Sequence, residues 1–467
     1  APAVSAFVAT LFGVTDARAA LAAAIGRESV VFAFKREFVK KRTARRKRAE
    51  MDGLDATART ALDRAARAVL SAAAALPDHW NDEAEVAAAV MPLVRAEDLF
   101  RKALARGGVT STPDDLARAA ALRAALAASP EACAQLGDTL PGSVTDDDSA
   151  ARVYTAALDV LDRWCLLRMV DPAYDHHWVS LRLPKTLDFQ QLVPLRRPRP
   201  ELPELLTGAH HPRERDGFAL TDRRADLRST LSEVDYCIYC HDRDKDSCSK
   251  GLRNKDGSIK PNAIGVPLAG CPLEEKISEA HYLKGQGDSL AALAVVTIDN
   301  PMLPGTGHRI CNDCMKACIY QKQEPVNIPQ IETSALTDVL ALPYGFEIYG
   351  LLTRWNPLNA RRPYAAAANG KNVMVVGMGP AGYTLSHYLL HEGFTVAGID
   401  GLKIEPFPDA LTGKNGHALT PIRDWKEIAS TLDTRILEGF GGVSEYGITV
   451  RWDKSFLTLI HLTLARR

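Results

Sequence analysis

KNVMVVGMGPAGYTLSHYLLHEGFTVAGID, residues 371–400, is the stretch whose reading decides the fold. Val373, Met374, Val375 and Val376 form a short continuous apolar run, the pattern of a strand buried on both faces of a parallel sheet. Gly377-Met378-Gly379-Pro380-Ala381-Gly382 turns the chain into a helix from Tyr383 to His391, Gly393 ends that helix, and Thr395–Ile399 reads as the next strand. The result is one βαβ unit. A G-x-G-x-x-G turn between strand and helix allows a tight bend and a close backbone approach to a pyrophosphate, with the phosphate on the helix N-terminus. Asp400 closes the second strand, where a carboxylate accepts hydrogen bonds from ribose hydroxyls and repels a 2′-phosphate. A structural glycine turn in some other α/β domain is the alternative.

Seven of the nine cysteines lie upstream of this turn: Cys237, Cys240, Cys248, Cys271, Cys311, Cys314 and Cys318. Thiolates at C-x2-C spacing reach neighbouring corners of one metal site, and Cys311-x2-Cys314-x3-Cys318 places three within one or two helical turns. Iron–sulfur clusters, zinc and unrelated buried thiols are the candidates, and spacing alone does not exclude zinc. Two features favour iron. Cys271 is followed at once by Pro272, as cluster-ligating cysteines in ferredoxins often are, and the neighbouring nucleotide turn supplies an electron donor that zinc does not use. Cys133 and Cys165 stand alone on apolar helical stretches and read as small core residues.

At 467 residues the chain has room for roughly three domains, each with its own core. Lys plus Arg and Asp plus Glu number 57 each, so no global field drives binding to nucleic acid or an anionic membrane. No apolar run reaches bilayer length, and C-x2-C thiols in a large helix-rich chain suit metal ligation in a reducing compartment. The expectation is a soluble, cytoplasmic protein with no membrane or nucleic-acid partner. The first residue is Ala1 rather than methionine, which leaves room for a preceding segment.

Residues 1–182 read as an all-α domain of five to seven amphipathic helices. Thr112-Pro113-Asp114-Asp115 and Ser129-Pro130-Glu131 punctuate helix starts, and Asp148 or Ser149 caps a helix running to Val170. The basic run Lys35–Arg48 holds nine Lys or Arg and one acid, Glu37. Phe34, Phe38 and Val39 interleave with it at helical spacing, which favours a helix with one buried edge over a nucleic-acid grip. Prolines from Pro184 to Pro212 mark a linker over 183–228. The cysteine region, 229–363, carries short helical pieces such as Leu273–Leu283 and Glu332–Leu342, and the nucleotide unit occupies 370–467.

The stretch from about 230 to 451 resembles the amino-terminal half of the glutamate synthase small (beta) subunit family, shared with the amino-terminal part of dihydropyrimidine dehydrogenase and related flavin transhydrogenases. The resemblance is carried by Cys237-Ile238-Tyr239-Cys240, Gly270-Cys271-Pro272-Leu273, Gly307-His308-Arg309-Ile310-Cys311, Pro325-Val326-Asn327-Ile328 through Glu332, the Gly377–Gly382 turn, and Gly441-Gly442-Val443-Ser444-Glu445-Tyr446-Gly447-Ile448. It implies an α-helical ferredoxin-like domain with two [4Fe–4S] clusters, followed by a partial Rossmann-like FAD-binding domain. By position, Cys237, Cys240, Cys248 and Cys318 would hold one cluster and Cys271, Cys311 and Cys314 the other. Glu332 stands where relatives place a non-cysteine fourth ligand; an ordinary first-turn helix acid is the competing reading. The resemblance further implies FAD on Gly377, Gly379, Pro380, Ala381, Gly382 and Asp400, with Gly441 and Gly442 near the flavin ring.

The chain departs from that pattern in three ways. The Cys240–Cys248 gap is longer and the Cys311–Cys314 gap shorter than in the family, and an insertion occupies about 403–438. That insertion would cap the flavin, contact a partner, or be a neutral excursion. The chain ends at Arg467, before the second nucleotide fold that takes NAD(P)H in relatives, so the resemblance implies a fragment of a longer oxidoreductase. Its partner would be an electron-acceptor domain or subunit, and no catalytic side chain is assigned. The reading from a different class is a zinc-stabilised nucleic-acid-binding or assembly scaffold.

Overall fold

The computed structural model describes residues 1–74, 82–106, 110–171, 173–174, 177–192, 195–196, 199–201, 205–206, 224–307, 311–400, 406–428 and 455–467. They divide into two units, Arg27–Leu183 and a second that joins Ala1–Gly26 to Pro184–Arg467. The first two helices, α1 (Pro2–Leu11) and α2 (Thr15–Arg27), thus leave the helical domain expected over 1–182. The physical reason is the destination of their apolar side chains. Val8, Ala9 and Val14 are buried with Leu290, Leu293 and Ala294, more than 270 residues on. Asp288 clamps the join by accepting from Ser5 Oγ at 2.6 Å and pairing with Arg18 at 2.7 Å.

The unit Arg27–Leu183 contains α3 (Ser29–Phe34), which runs into a π-helical turn at Lys35–Val39, then α4 (Ala56–Ala74), α5 (Glu83–Arg106), α6 (Pro113–Ala128), α7 (Pro130–Leu136) and α8 (Asp147–Val170). The described residues of 1–182 therefore hold eight α-helices where five to seven were expected. Helix α8 is the centre: it packs on α4, α5 and α6, and its fully buried Trp164 donates Nε1–H to Asp63 at 2.9 Å. Thr112 caps α6 and Ser129 caps α7, each accepting a backbone N–H at 3.2 Å. Asp146, two residues before the expected site, caps α8 through Ser149 N–H at 2.8 Å, and Ser149 Oγ accepts from Asp146 N–H in return. Each such cap contributes about 1 kcal/mol.

Phe34, Phe38 and Val39 are fully buried, and Lys41, Arg42 and Arg46 of the basic run turn to acids of the same unit. Arg46 reaches Asp162 at 2.5 Å and Glu50 at 2.9 Å, Arg42 pairs with the buried Glu97, and Lys41 pairs with Glu37. Much of the charge in the basic run is thus matched internally. Cys165 is buried and its thiol pKa is pushed up by desolvation, whereas Cys133 is exposed rather than a core residue.

In the other unit a short antiparallel pair, β1 (Leu195–Arg196) with β2 (Leu205–Leu206), interrupts the proline-rich segment. The helices that follow are α9 (Leu227–Tyr236), α10 (Ser247–Lys250), α11 (Ile277–Gly285), α12 (Ser289–Asp299), α13 (Leu303–Thr306), α14 (Asp313–Lys316), α15 (Ile328–Leu340) and α16 (Gly345–Arg354). Two differ in register from the sequence reading: α11 starts four residues after Leu273, and α15 starts four residues before Glu332. Pro329 explains the second shift, because proline fits the first turn of a helix, where its missing N–H costs nothing. Helix α12 is apolar all round and runs through the core between α11, α15, α16 and α1.

The chain then forms β3 (Asn372–Val376), α17 (Pro380–His391) and β4 (Thr395–Ile399), with β3 and β4 parallel and Asn372 opposite Thr395. Helix α17 covers one face of this pair. The other face is open, since Met374 and Val376 are 66% and 72% exposed, so β3 is not the doubly buried strand expected from its apolar run. Within the expected insertion, α18 (Asp409–Thr412) packs on the C-terminal helix, and Ile422 and Trp425 reach α16. Trp425 stacks on Phe346 at 5.4 Å, and Ile422 N–H donates to Glu347, which Arg466 grips with two hydrogen bonds from α19 (Ser455–Ala465) and its C-terminal extension. This part of the insertion serves the helical core.

Candidate functional site

Between α9 and α10 the backbone adopts left-handed conformations at Tyr239 and Asp244, folding Cys237, Cys240 and Cys248 back toward one another. Cys318, just beyond α14, completes the group. Together the four thiols line one small cavity of about 20 Å³, whose remaining walls are Ile238, Ile319, Val326, Ile328, Tyr320, Ser247, Ser278 and His281. These are the four cysteines that the resemblance assigns to a single cluster. Tyr236 and Tyr320 stack face to face at 4.3 Å beside them, and Tyr236 donates to Glu324 O at 2.9 Å.

Burial dominates the electrostatics of the thiols. Desolvation pushes the Cys237 thiol up to about 12, and Cys240, Cys248 and Cys318 shift in the same direction, each further raised by the charge of its neighbours. Cys248 donates its S–H to Asp246 at 3.1 Å. Without a cation the four groups are protonated thiols. A cation bound among them would invert this preference, because a coordinated thiol gives up its proton.

Cys271, Cys314 and Glu332, with Cys311 at the surface, form a second group. Desolvation raises the Cys271 thiol to about 12, with the charges of Glu275 and then Glu332 adding to it, and it raises Cys314 well above its ordinary value, with Glu332 the next cause. The two groups are neighbours: Cys271 N–H donates to Cys248 O at 2.9 Å. That approach depends on Gly270, whose φ is +85° and where a Cβ would lie 2.4 Å from Gly251 N. Glu332 sits in the second turn of α15 and not in the first, so the first-turn-acid reading is withdrawn. It faces Glu275, 5% exposed, and the carboxyl pKa of each is raised, first by desolvation and for Glu332 also by the charge of its partner. Two carboxyls so placed hold a proton between them.

The donor sets differ in what they suit. Among the described residues no three His, Cys, Asp or Glu side chains converge tightly enough to hold a single metal ion. The four thiols of the first group line one cavity, and thiolates there would suit either a zinc ion or an iron–sulfur cluster.

At the glycine turn, Gly379 precedes α17 and Pro380 and Ala381 open it. A Cβ on Gly382 would fall 1.7 Å from Gly377 O, so only glycine lets helix and strand meet there. Asp400 lies at the end of β4, but its carboxylate accepts from Met378 N–H at 3.3 Å and so braces the turn itself. Gly441 and Gly442 lie outside the described residues. Tyr383, fully buried on α17, donates to Gly305 O on α13, which in turn packs on α15, the helix of Glu332. The glycine turn thus packs, through α13, toward the helix that carries Glu332, while Cys271 and Cys314 belong to a separate apolar cluster with Cys248 and Cys318.

Sequence reading missed Ser247, Glu275 and His281. Ser247 was adjacent to a marked cysteine, and Glu275 lay four residues after another. Nothing local distinguishes His281, because its burial comes from long-range packing.

The chain is similar to two proteins of Rickettsia prowazekii (strain Madrid E). One, named uncharacterized protein RP006, is 55% identical over 165 residues, which are 35% of this chain and 22% of that protein. The other, uncharacterized protein RP005, is 44% identical over 80 residues, 16% of this chain and 27% of that one. The chain thus spans about a quarter of each relative it matches. No protein-family profile matches it, and no solved structure does. No described helix is long and apolar enough to cross a membrane.

Proposed function

We propose that this chain is the electron-relay part of an NAD(P)H-dependent iron–sulfur flavoprotein oxidoreductase, with two [4Fe–4S] sites and a nucleotide site for FAD. The observation that carries the reading is the convergence of Cys237, Cys240, Cys248 and Cys318 on one cavity, joined by a backbone hydrogen bond to the group of Cys271, Cys311, Cys314 and Glu332. When bound, the clusters supply one-electron carriers and the flavin links them to two-electron hydride chemistry.

The residues present have definite tasks in this scheme. Cys237, Cys240, Cys248 and Cys318 would hold the first cluster as thiolates, contributing four negative charges among largely apolar walls. Glu332 gives the second site an oxygen donor, which changes the charge there and separates the two potentials. The backbone N–H groups at the start of α17 receive a pyrophosphate, and Asp400 holds the turn that presents them.

The test is anaerobic purification followed by measurement of iron, acid-labile sulfide, zinc and flavin on one sample. About eight iron and eight sulfide per chain support the reading. Cys318→Ser should remove half of each and Cys314→Ser the other half. Stoichiometric zinc without iron or sulfide refutes it.

A further inference from the structure

The cavity bounded by the four thiols contains two polar side chains that no ligand assignment uses. His281, on α11, is 2% exposed, and neither ring nitrogen has a hydrogen-bond partner among the described residues. Ser247, at the start of α10, is 6% exposed and its Oγ is equally without a partner. Both line the same cavity as Cys237, Cys240, Cys248 and Cys318. A buried donor left unsatisfied costs about 1–3 kcal/mol, and native cores rarely tolerate one, still less two facing a common space.

On α11, Glu279 Oε2, outside the cavity lining, also lacks a hydrogen-bond partner among the described residues, whereas its neighbours are provided for. Ser278, one turn before His281 on α11, contacts His241 Nδ1 at 2.7 Å, and Lys284, one turn after it, bonds to Ser289 at 3.2 Å. Asp246 accepts from Cys248. His281 and Ser247 are the unpartnered groups of the cavity lining, which otherwise consists of thiols, isoleucine, valine, tyrosine and the hydrogen-bonded Ser278. Two donors facing such a space suit an occupant that carries acceptors on its surface.

We propose that His281 and Ser247 donate hydrogen bonds to sulfur atoms of the cluster held by Cys237, Cys240, Cys248 and Cys318, and so set its reduction potential above that of the same cluster without them. The proposal rests on the cluster reading above. Reduction adds negative charge to the sulfurs, so a donor aimed at them stabilises the reduced form more than the oxidised form. An imidazole has one N–H in its neutral state, which is sufficient; no change of protonation is required. His281 and Ser247 are positioning residues in this sense: they act on the potential and are not ligands.

The experiment compares the intact chain with His281→Leu, Ser247→Ala and the double variant, each purified anaerobically. Iron and sulfide are counted first, and each cluster's midpoint potential is then read by electron paramagnetic resonance during redox titration. The expected result is unchanged iron and sulfide, a negative shift of one cluster's potential in each single variant, a larger shift in the double variant, and no shift of the other cluster. Deuterium exchange should show an exchangeable proton coupled to the first cluster that His281→Leu abolishes. Wild-type potentials in iron-loaded variants overturn this proposal alone, and point to a trapped water as the donors' partner. Absence of iron and sulfide from the wild-type chain overturns the cluster reading and this proposal with it. Should His281→Leu lose its cluster, His281→Gln decides: retention of a near-wild-type potential by this N–H donor supports the assignment, and a potential as low as that of Ser247→Ala combined with His281→Gln refutes it.

Discussion

Lys284 offers a sharp test of the packing that supports the candidate site. Its side chain on α11 is fully buried and pairs with Asp338 on α15, whose side chain is 15% exposed. Ser289 of α12 ties the pair together, donating to Asp338 at 2.6 Å and accepting from Lys284 at 3.2 Å. Removing one partner of a buried pair costs about 3–5 kcal/mol when it strands a charge in the interior. Asp338→Ala strands the fully buried ammonium and should incur that full loss. Lys284→Met leaves a carboxylate that still touches water and still accepts from Ser289, so about 1–2 kcal/mol is expected. In Lys284→Met with Asp338→Ala no charge is stranded, and much of the loss should be recovered. Desolvation lowers the Lys284 pKa, and Asp338 opposes that shift. Without Asp338 the folded-state value falls further below the ordinary 10.5, so the unfolded chain binds the proton more tightly. The Asp338→Ala deficit should therefore shrink as pH rises toward 10.5 and grow as it falls. Amide hydrogen exchange in α11, α12 and α15 measures each variant. Equal losses in the two single variants, or a loss in Asp338→Ala below about 0.5 kcal/mol, would refute the reasoning.

Three further outcomes are expected. Gly382→Ala must push Gly377 O back by about 1.3 Å to reach the 3.0 Å that real Cβ contacts respect. It should lower stability by about 1–3 kcal/mol or more in thermal unfolding, whereas Gly350→Ala, with nothing within 4 Å, should raise it by up to about 1 kcal/mol. In the metal-free chain the raised carboxyls of Glu275 and Glu332 contribute stability that is full below the ordinary 4.5 and lost as pH rises through their folded-state values. Glu332→Gln should flatten that slope, as read from melting temperature against pH. Burial and Arg467 hold the His387 pKa down to about 2, so its contribution is full above 6.5 and is lost as pH falls below it. His387→Gln should reduce the drop in melting temperature between pH 7 and pH 4.5.

Several elements were legible because their causes are local. Thr112 and Ser129 mark helix starts through bonds to residues three positions on, and the Gly377–Gly382 turn draws its shape from six consecutive residues. The capping position of α8 was misread because Asp146, Asp148 and Ser149 all offer suitable oxygens, and only the folded backbone shows which of them stands outside the helix. The start of α15 was misread for a related reason: Pro329 is a helix breaker in an interior and a helix opener in a first turn.

By itself, the order of residues determined where ligand-type side chains cluster, where helices begin and where strand turns into helix through glycine, since each depends on neighbours along the chain. Only the tertiary structure decided that residues 1–26 belong with α12, that Met374 and Val376 face outward, that the cations of Lys35–Arg48 find internal acids, and that Ser247 and His281 share a cavity with four thiols. Burial and partnership are sums over groups distant in sequence. A histidine becomes a buried, unpartnered donor through the elements packed around it, and its immediate neighbours in the chain carry no mark of that.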